Sequence, residues 1–306
     1  MVRLEWSELP SDVRRRVERS AGSTVEEART QHGGFSAGLA SRVFFADGQR
    51  CFVKAVHASS SGTFDLYRRE ADILRMIPRD LPAAHLIDAF DDDHWAVLTI
   101  EDVDGRHPRK DSPLDTALVL DAIAALAAAE PPASLPRLAD ELAEDAGSWK
   151  RLARADLLGT TTPWCIENVA LLQEHAGRVG SAVAGERLVH GDLRADNILI
   201  DRAGCARLLD WPWAARGAGW EDALLYLLDL RVEDPAADVE SLRSHPVFDG
   251  SATADHISLL AAIGGGWFEK CRWPAPPGMD ALRGFQRREA LAAVDWIAQI
   301  TATAGD

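Results

Sequence analysis

The sequence predicts an α+β protein in two lobes, a small β-rich lobe with one helix followed by a larger helical lobe. Three features point there. Short runs rich in Val, Phe, Ile and Trp, separated by turn residues, fill the first hundred positions. Long Ala/Leu-rich stretches dominate after about Glu101. One β-rich patch, RLVHGDLRADNILIDRAGCARLLDWPW, interrupts them. At 306 residues, 47% hydrophobic and 26% charged, the chain can build a sizeable core and is too apolar for whole-chain disorder.

The elements follow in order. TVEEARTQHGG and LASRVFFADGQRCFVKAV read as β-rich runs, the second folded about Asp47-Gly48, a dipeptide suited to a tight hairpin. After the polar loop Ser59 to Gly62, Leu66, Ile73, Leu74 and Ile77 recur at helical spacing, and Pro78 ends that helix. HLIDAF and HWAVLTI are two more strands around the acidic turn Asp91 to Asp93. The first lobe therefore spans residues 1–100, with a connector at about 98–104. The second lobe, residues 105–306, carries helices over 113–130, 135–145, 163–183, 221–232, 253–271 and 279–300. Pro/Gly segments such as EPPASLP and WPAPPG separate them.

Composition removes some function classes. The chain holds 48 Asp and Glu against 33 Lys and Arg, a formal charge of −15, so nucleic acid and anionic membrane surfaces are poor partners. No run reaches the ~18 apolar residues of a membrane span, and MVRLEWSELP places charges where a secretory signal needs apolar residues. Cys51, Cys165, Cys205 and Cys271 lie far apart, without zinc spacing, and read as reduced thiols. A soluble cytoplasmic protein is expected, its oligomeric state open.

The chemistry concentrates in HGDLRADNILID, His190 to Asp201. A short strand delivers His-Gly-Asp into a loop, Asn197 follows Asp192 by five residues, and the next apolar run ends in Asp210. Two carboxylates and an amide oxygen at the mouths of short strands suit a phosphoryl group with Mg²⁺, which takes hard oxygen ligands.

HGDxxxxN followed by a strand-end Asp, here Asp210-Trp211, resembles the core of the aminoglycoside phosphotransferase and choline kinase-like family, over roughly residues 31–300. That family has a bilobal protein-kinase-like fold, and HRDxxxxN…DFG has the same layout. Gly191 in place of Arg and Trp211 in place of Phe point to its small-molecule branch. The resemblance implies Asp192 as catalytic base, Asn197 and Asp210 as Mg²⁺ ligands, and ATP or GTP as donor.

It also implies a phosphate-orienting lysine. Lys54, one of four lysines, lies in CFVKAV, and Glu70 on the following helix is its expected partner, with Asp65 and Asp72 as rivals. Gly33, Gly34, Ser36 and Gly38 of GGFSAG occupy the place of a phosphate-covering loop, although the spacing departs from GxGxxG. Thr99, Glu101 and Val103 fall where the connector backbone meets the purine, with Glu101 and Asp102 as solvated side chains. Glu221 and Asp222 read as helix N-terminal acids or as substrate contacts, and Glu233 and Asp234 as further candidates for an ammonium partner. Arg194 reads as a surface ion pair or as a neutraliser of phosphoryl charge. Trp211, Trp213, Trp220, Trp267 and Trp273 read as packing in the helical lobe, one or two of them lining a pocket.

The expected function is small-molecule phosphotransfer to a hydroxyl, with an aminoglycoside-type antibiotic as first acceptor. Choline, homoserine, a sugar, a macrolide or a peptide antibiotic are rival acceptors, and a nucleotide-binding pseudokinase is the rival class.

Overall fold

A computed structural model describes residues 3–31, 38–276 and 279–303. The chain forms two compact units. The first comprises Met1–His107, Asp196–Trp213 and Ala275–Asp280, so the segment from Asp196 to Trp213 groups with the N-terminal residues.

In the first unit, helix α1 (Ser11–Ala21) precedes strands β1 (Val25–Thr30), β2 (Leu39–Phe45) and β3 (Arg50–His57). Helix α2 (Ser61–Met76) follows, then strands β4 (Leu86–Asp91), β5 (Trp95–Glu101) and β6 (Gly105–Arg106). The sheet order is β1-β2-β3-β5-β4, with every pairing antiparallel. Gly48 turns the β2–β3 hairpin at φ 83°, a left-handed conformation that glycine adopts without Cβ strain.

Strand alternation in β3 decides which side chains enter the core. Cys51, Val53 and Ala55 are buried with Leu39, Val43 and Phe45 of β2, and Lys54 takes the opposite face. Helix α1 covers that core with Val13 and Val17, joined by Leu9 just before it. The sequence expectation had no such helix. SDVRRRVERSA offers only two valines, at i and i+4, among charged residues, so its apolar stripe is too thin to stand out.

A second, three-stranded sheet in this unit has the order β6-β8-β9, where β8 is Ile198–Asp201 and β9 is Ala206–Leu208. Asp201 Oδ1 accepts the backbone N–H groups of Ala203 and Cys205 and fixes the turn between them.

The second unit comprises Pro108–Ala195, Ala214–Pro274 and Ala281–Asp306. It opens with α3 (Pro113–Ala128), capped by Ser112, then α4 (Leu138–Glu141) and α5 (Ser148–Arg154). Next come α6 (Pro163–Glu167), α7 (Val169–Gly177) and α8 (Val179–Ala182). Two expected helices are thus shorter than predicted. Residues 135–145 hold only α4 and the start of a 3-10 turn, and residues 163–183 break at Asn168 and Arg178. At the C-terminal end of α6 the Asn168 side-chain amide donates to Trp164 O beside its own backbone N–H.

Strands β7 (Arg187–Val189) and β10 (Ala215–Gly217) pair antiparallel. Helices α9 (Glu221–Glu233), α10 (Val239–Leu242), α11 (Thr253–Lys270) and α12 (Leu282–Thr303) complete the unit. Helix α11 is buried from His256 to Gly266 and again at Phe268, the signature of a core helix. Its Gly264-Gly265-Gly266 run looks destabilising. At Gly265, however, a Cβ would lie 2.6 Å from Trp149 Nε1, and that indole donates to Ala261 O at 2.7 Å. Glycine lets α5 settle directly on α11. Among the described residues, no helix is long and apolar enough to cross a membrane.

Candidate active site

In the first unit the candidate residues gather around Lys54. Paired with Ala40 on one side and Leu98 on the other, Lys54 lies mid-sheet on the face opposite the core. Its Nζ donates to Glu70 Oε1 and Oε2 at 2.8 and 2.7 Å and to Asp210 Oδ1 at 2.7 Å. Glu70 is therefore the helix partner, as expected. Its rival Asp72 instead pairs with Arg75 on the outside of α2. Burial pushes the Lys54 ammonium toward neutrality, but Asp210 and Glu70 more than reverse this and raise its pKa.

Asp210 follows β9 in a left-handed conformation, φ 66°, which a non-glycine residue adopts at a cost on the order of 1 kcal/mol. The Leu209 N–H donates to Asn197 O at 2.9 Å, so Asn197 and the Asp210 turn are fastened at the open end of the β8–β9 hairpin. Asn197 is 6% exposed. Trp211 is fully buried, its indole donating to Leu208 O and its backbone N–H to Glu70 Oε1. It belongs to the first unit and not to the helical lobe in which it was expected.

The connector differs from expectation at Asp102. Its carboxylate is 2% exposed, with Oδ1 2.6 Å from Arg42 Nε and Oδ2 3.2 Å from Arg50 Nε. A buried, paired carboxylate ties β2 and β3 to the end of β5. Burial and this carboxylate also push the Cys51 thiol up to about 12. Thr99 is buried, the Glu101 N–H donates to His85 O, and Val103 O accepts from Arg42. The Glu101 side chain lies near Arg207. Gly33, Gly34 and Ser36 lie outside the described residues. Gly38 has φ 98°, and a Cβ there would sit 3.2 Å from Val56 Cα, so close strand approach requires glycine.

The second unit presents the loop His190 to Ala195, delivered by β7. Gly191 takes φ 80°, and helix α9 fastens both ends of the loop. Asp222 accepts the N–H of His190 at 2.6 Å and of Gly191 at 2.9 Å. Asp229, seven residues on and so on the same helix face, accepts the N–H of Ala195 at 2.9 Å. Lys110 holds Asp229 at 3.0 Å. Arg194 pairs with Asp192 at 2.5 Å, and its guanidinium carbon lies 5.0 Å from the centre of the Phe285 ring.

These contacts correct the reading of the α9 acids. Glu221 and Asp222 do stand in the first helical turn, yet both are 1% exposed and their carboxylates hold backbone amides outside the helix. Glu221 accepts from Ala218 and Gly219, each at 2.6 Å. Burial raises Glu221 to about 7 and Asp222 to about 6. Glu233 lies 3.6 Å from Lys110, and exposed Asp234 caps its own turn through the Ala236 N–H. Arg194 forms an ion pair, but not a surface one, since its side chain is only 15% exposed. Trp220 is buried, whereas Trp213 and Trp273 are exposed at 40% and 46%.

Asp229, Lys110, Phe285 and Glu289 were not singled out in the sequence. Asp229 alone left a signal, an acid inside the apolar run ALLYLLDL one heptad after Asp222.

Comparison with known proteins fits this arrangement. The solved structure of a thermostable mutant of aminoglycoside phosphotransferase APH(4)-Ia superposes with a TM-score of 0.61 at 15% identity, covering 96% of this chain and 100% of that one. A ternary complex of the same enzyme with ADP and hygromycin B gives 0.61 at 13% identity, covering 97% and 100%. Macrolide 2'-phosphotransferase MphH from Brachybacterium faecium gives 0.55 at 17% identity, covering 91% and 96%. At such identities the likeness establishes the fold, the kinase-like one shared with these enzymes. Comparison with curated protein sequences gives no match. The model of the phosphotransferase enzyme family matches residues 33–253, most of the sequence, and the chain belongs to that family.

Proposed function

We propose that the protein transfers the γ-phosphoryl group of ATP to a hydroxyl of an amine-bearing small molecule of the aminoglycoside kind. The observation that carries the reading is the Lys54 ammonium held by Glu70 and Asp210, the arrangement that orients nucleotide phosphates in kinases. Asn197 and Asp210 supply the hard oxygen donors Mg²⁺ prefers, and would hold that ion, which neutralises phosphate charge when bound. Asp192 is the base. It takes the acceptor hydroxyl proton as that oxygen bonds to the γ-phosphorus and the bond to the bridging oxygen breaks, releasing ADP. Because the transition state is loose, orientation and charge neutralisation contribute more than proton abstraction. The pinned loop supports this assignment, since backbone bonds to Asp222 and Asp229 hold Asp192 on a rigid base.

Nucleotide complexes of a fold relative with ADP and with AMP-PNP favour an adenine donor. Hygromycin B in the first of these, with the net charge of −15, favours a cationic acceptor. The test is incubation with ATP or GTP, Mg²⁺ and a panel of aminoglycosides, macrolides, choline, homoserine, sugars and peptide antibiotics. Mass spectrometry then reads the gain of one phosphoryl group. Phosphorylation of aminoglycosides, with KM rising with salt as screening requires, is the expected outcome. Transfer to macrolides or sugars with every aminoglycoside ignored overturns the acceptor. Nucleotide binding without transfer to any acceptor or to water indicates a pseudokinase.

A further inference from the structure

Helix α12 carries a buried acid that the transfer chemistry does not use. Glu289 is 2% exposed, and its Oε1 has no hydrogen-bond partner. Phe285, one turn earlier and on the same helix face, lies against the guanidinium of Arg194, which in turn pairs with Asp192. We propose that Glu289 is a positioning residue for the loop, governing through Arg194 how the Asp192 carboxylate is held. The proposal rests on the reading of Asp192 as the base.

The charges around Glu289 explain how it acts. Burial pushes its carboxyl up to about 8, Asp229 pushes it further, Arg194 and Lys110 pull it back, and Asp192 adds to the rise. At neutral pH it is an uncharged acid, while Arg194 pairs with Asp192 and Lys110 with Asp229. Above about pH 8 the new carboxylate competes for both cations and repels Asp192 and Asp229. Arg194 is drawn off Asp192, and the bond network behind Ala195 loosens.

Other charged groups on the packed elements are committed elsewhere. On α11, Asp255 accepts from Ala252, Glu269 pairs with Arg151 and Lys270 with Asp145. His256 bonds Ser251, and burial lowers its pKa to about 4. On α9, Arg231 pairs with Asp295 of α12. On α12 itself, Arg283 and Arg287 donate to Pro274 O and Thr160 O, and Arg288 is exposed.

The experiment uses full-length protein with ATP and Mg²⁺, water as the acceptor, and ADP release followed from pH 6.5 to 9.5. For the wild type, kcat should fall at least about fivefold across an alkaline limb centred near pH 8. Glu289→Gln, which cannot ionise, should flatten that limb to less than about twofold. Arg194→Gln should flatten it equally, and the double variant should add nothing, since both act on one contact. A limb that survives in Glu289→Gln, or a wild type that releases ADP without one, overturns the proposal.

Melting curves over the same range keep a second readout independent of turnover. Removing Arg194 should move the end of the Glu289-dependent loss of stability to higher pH, because losing an attracting cation raises the folded-state carboxyl pKa further. That expectation reduces to one measurable quantity: the apparent midpoint of the difference between wild type and Glu289→Gln must shift when Arg194 is replaced. An unshifted midpoint overturns the coupling. If ADP is released neither with water nor with any acceptor of the panel while the midpoint shifts, the phosphotransfer reading fails and the Glu289–Arg194 coupling stands.

Discussion

At the scale of single residues, the proposed roles of Asp192, Asp210 and Lys54 make different demands. Asp192→Asn should leave ATP binding nearly intact and cut turnover on the order of 10²–10⁴-fold, read as kcat against nucleotide Kd. Full turnover in that variant would remove Asp192 as the base. Asp210→Asn should abolish turnover and weaken Mg–ATP binding. Lys54→Met carries a second penalty, because Glu70 at 1% exposure loses the cation beside it. Stranding that buried charge costs about 3–5 kcal/mol, so its lost activity has to be read beside its melting temperature.

Among the elements, α9 and α11 show how packing sets up chemistry far from any reacting atom. Two acids one heptad apart on α9 accept three backbone N–H groups from the loop His190 to Ala195. Asp222→Asn keeps the shape but replaces one of the two accepting oxygens with an NH2 donor, so one of these bonds is lost, and it should cost about 1–3 kcal/mol by denaturant unfolding. Turnover should fall with it, since the loop that carries Asp192 loses its fastening. On α11, Gly265→Ala would force a methyl against Trp149 and Ser148. The expected loss is about 1–3 kcal/mol even though alanine is the better helix former. An unchanged or raised melting temperature would mean that α5 moves aside freely.

For the molecule as a whole, buried acids set the response to pH. Glu221, Asp222 and Glu289 have folded-state pKa values of about 7, 6 and 8, all above their ordinary range. The folded protein holds protons the unfolded chain has released, so this stability is complete at low pH and is lost as pH rises through those values. His256, lowered to about 4, acts in the opposite sense below about pH 6.5. The clean window therefore lies between about pH 6.5 and 8.5, where stability should fall by about 1–2 kcal/mol per pH unit. A melting temperature that rises across this window would overturn the assignment. ATP should raise the melting temperature appreciably only with Mg²⁺ present, adding about 2.7 kcal/mol at a hundredfold excess over Kd. An EDTA control without effect would remove Asn197 and Asp210 as the metal pair.

The sequence by itself determined the strand-and-turn character of the first unit, the placement of Lys54 in a strand, and the motif from His190 to Asp210; the strand's place in the middle of the sheet came from the pairing. Those features are local: period-two alternation, turn residues and fixed spacing leave their mark in one stretch of chain. Helix α1 and the break at Asn168 escaped because two valines and one side-chain amide are signals too weak for periodicity to register. Only tertiary structure selected Glu70 over Asp72, since both lie on α2 and the face turned toward β3 chooses between them. It also turned Asp102, Glu221 and Asp222 from solvated or dipole-favoured acids into buried acceptors of specific partners. Whether a carboxylate is solvated, paired or protonated depends on what the rest of the chain packs around it, and no spacing in the sequence encodes that burial.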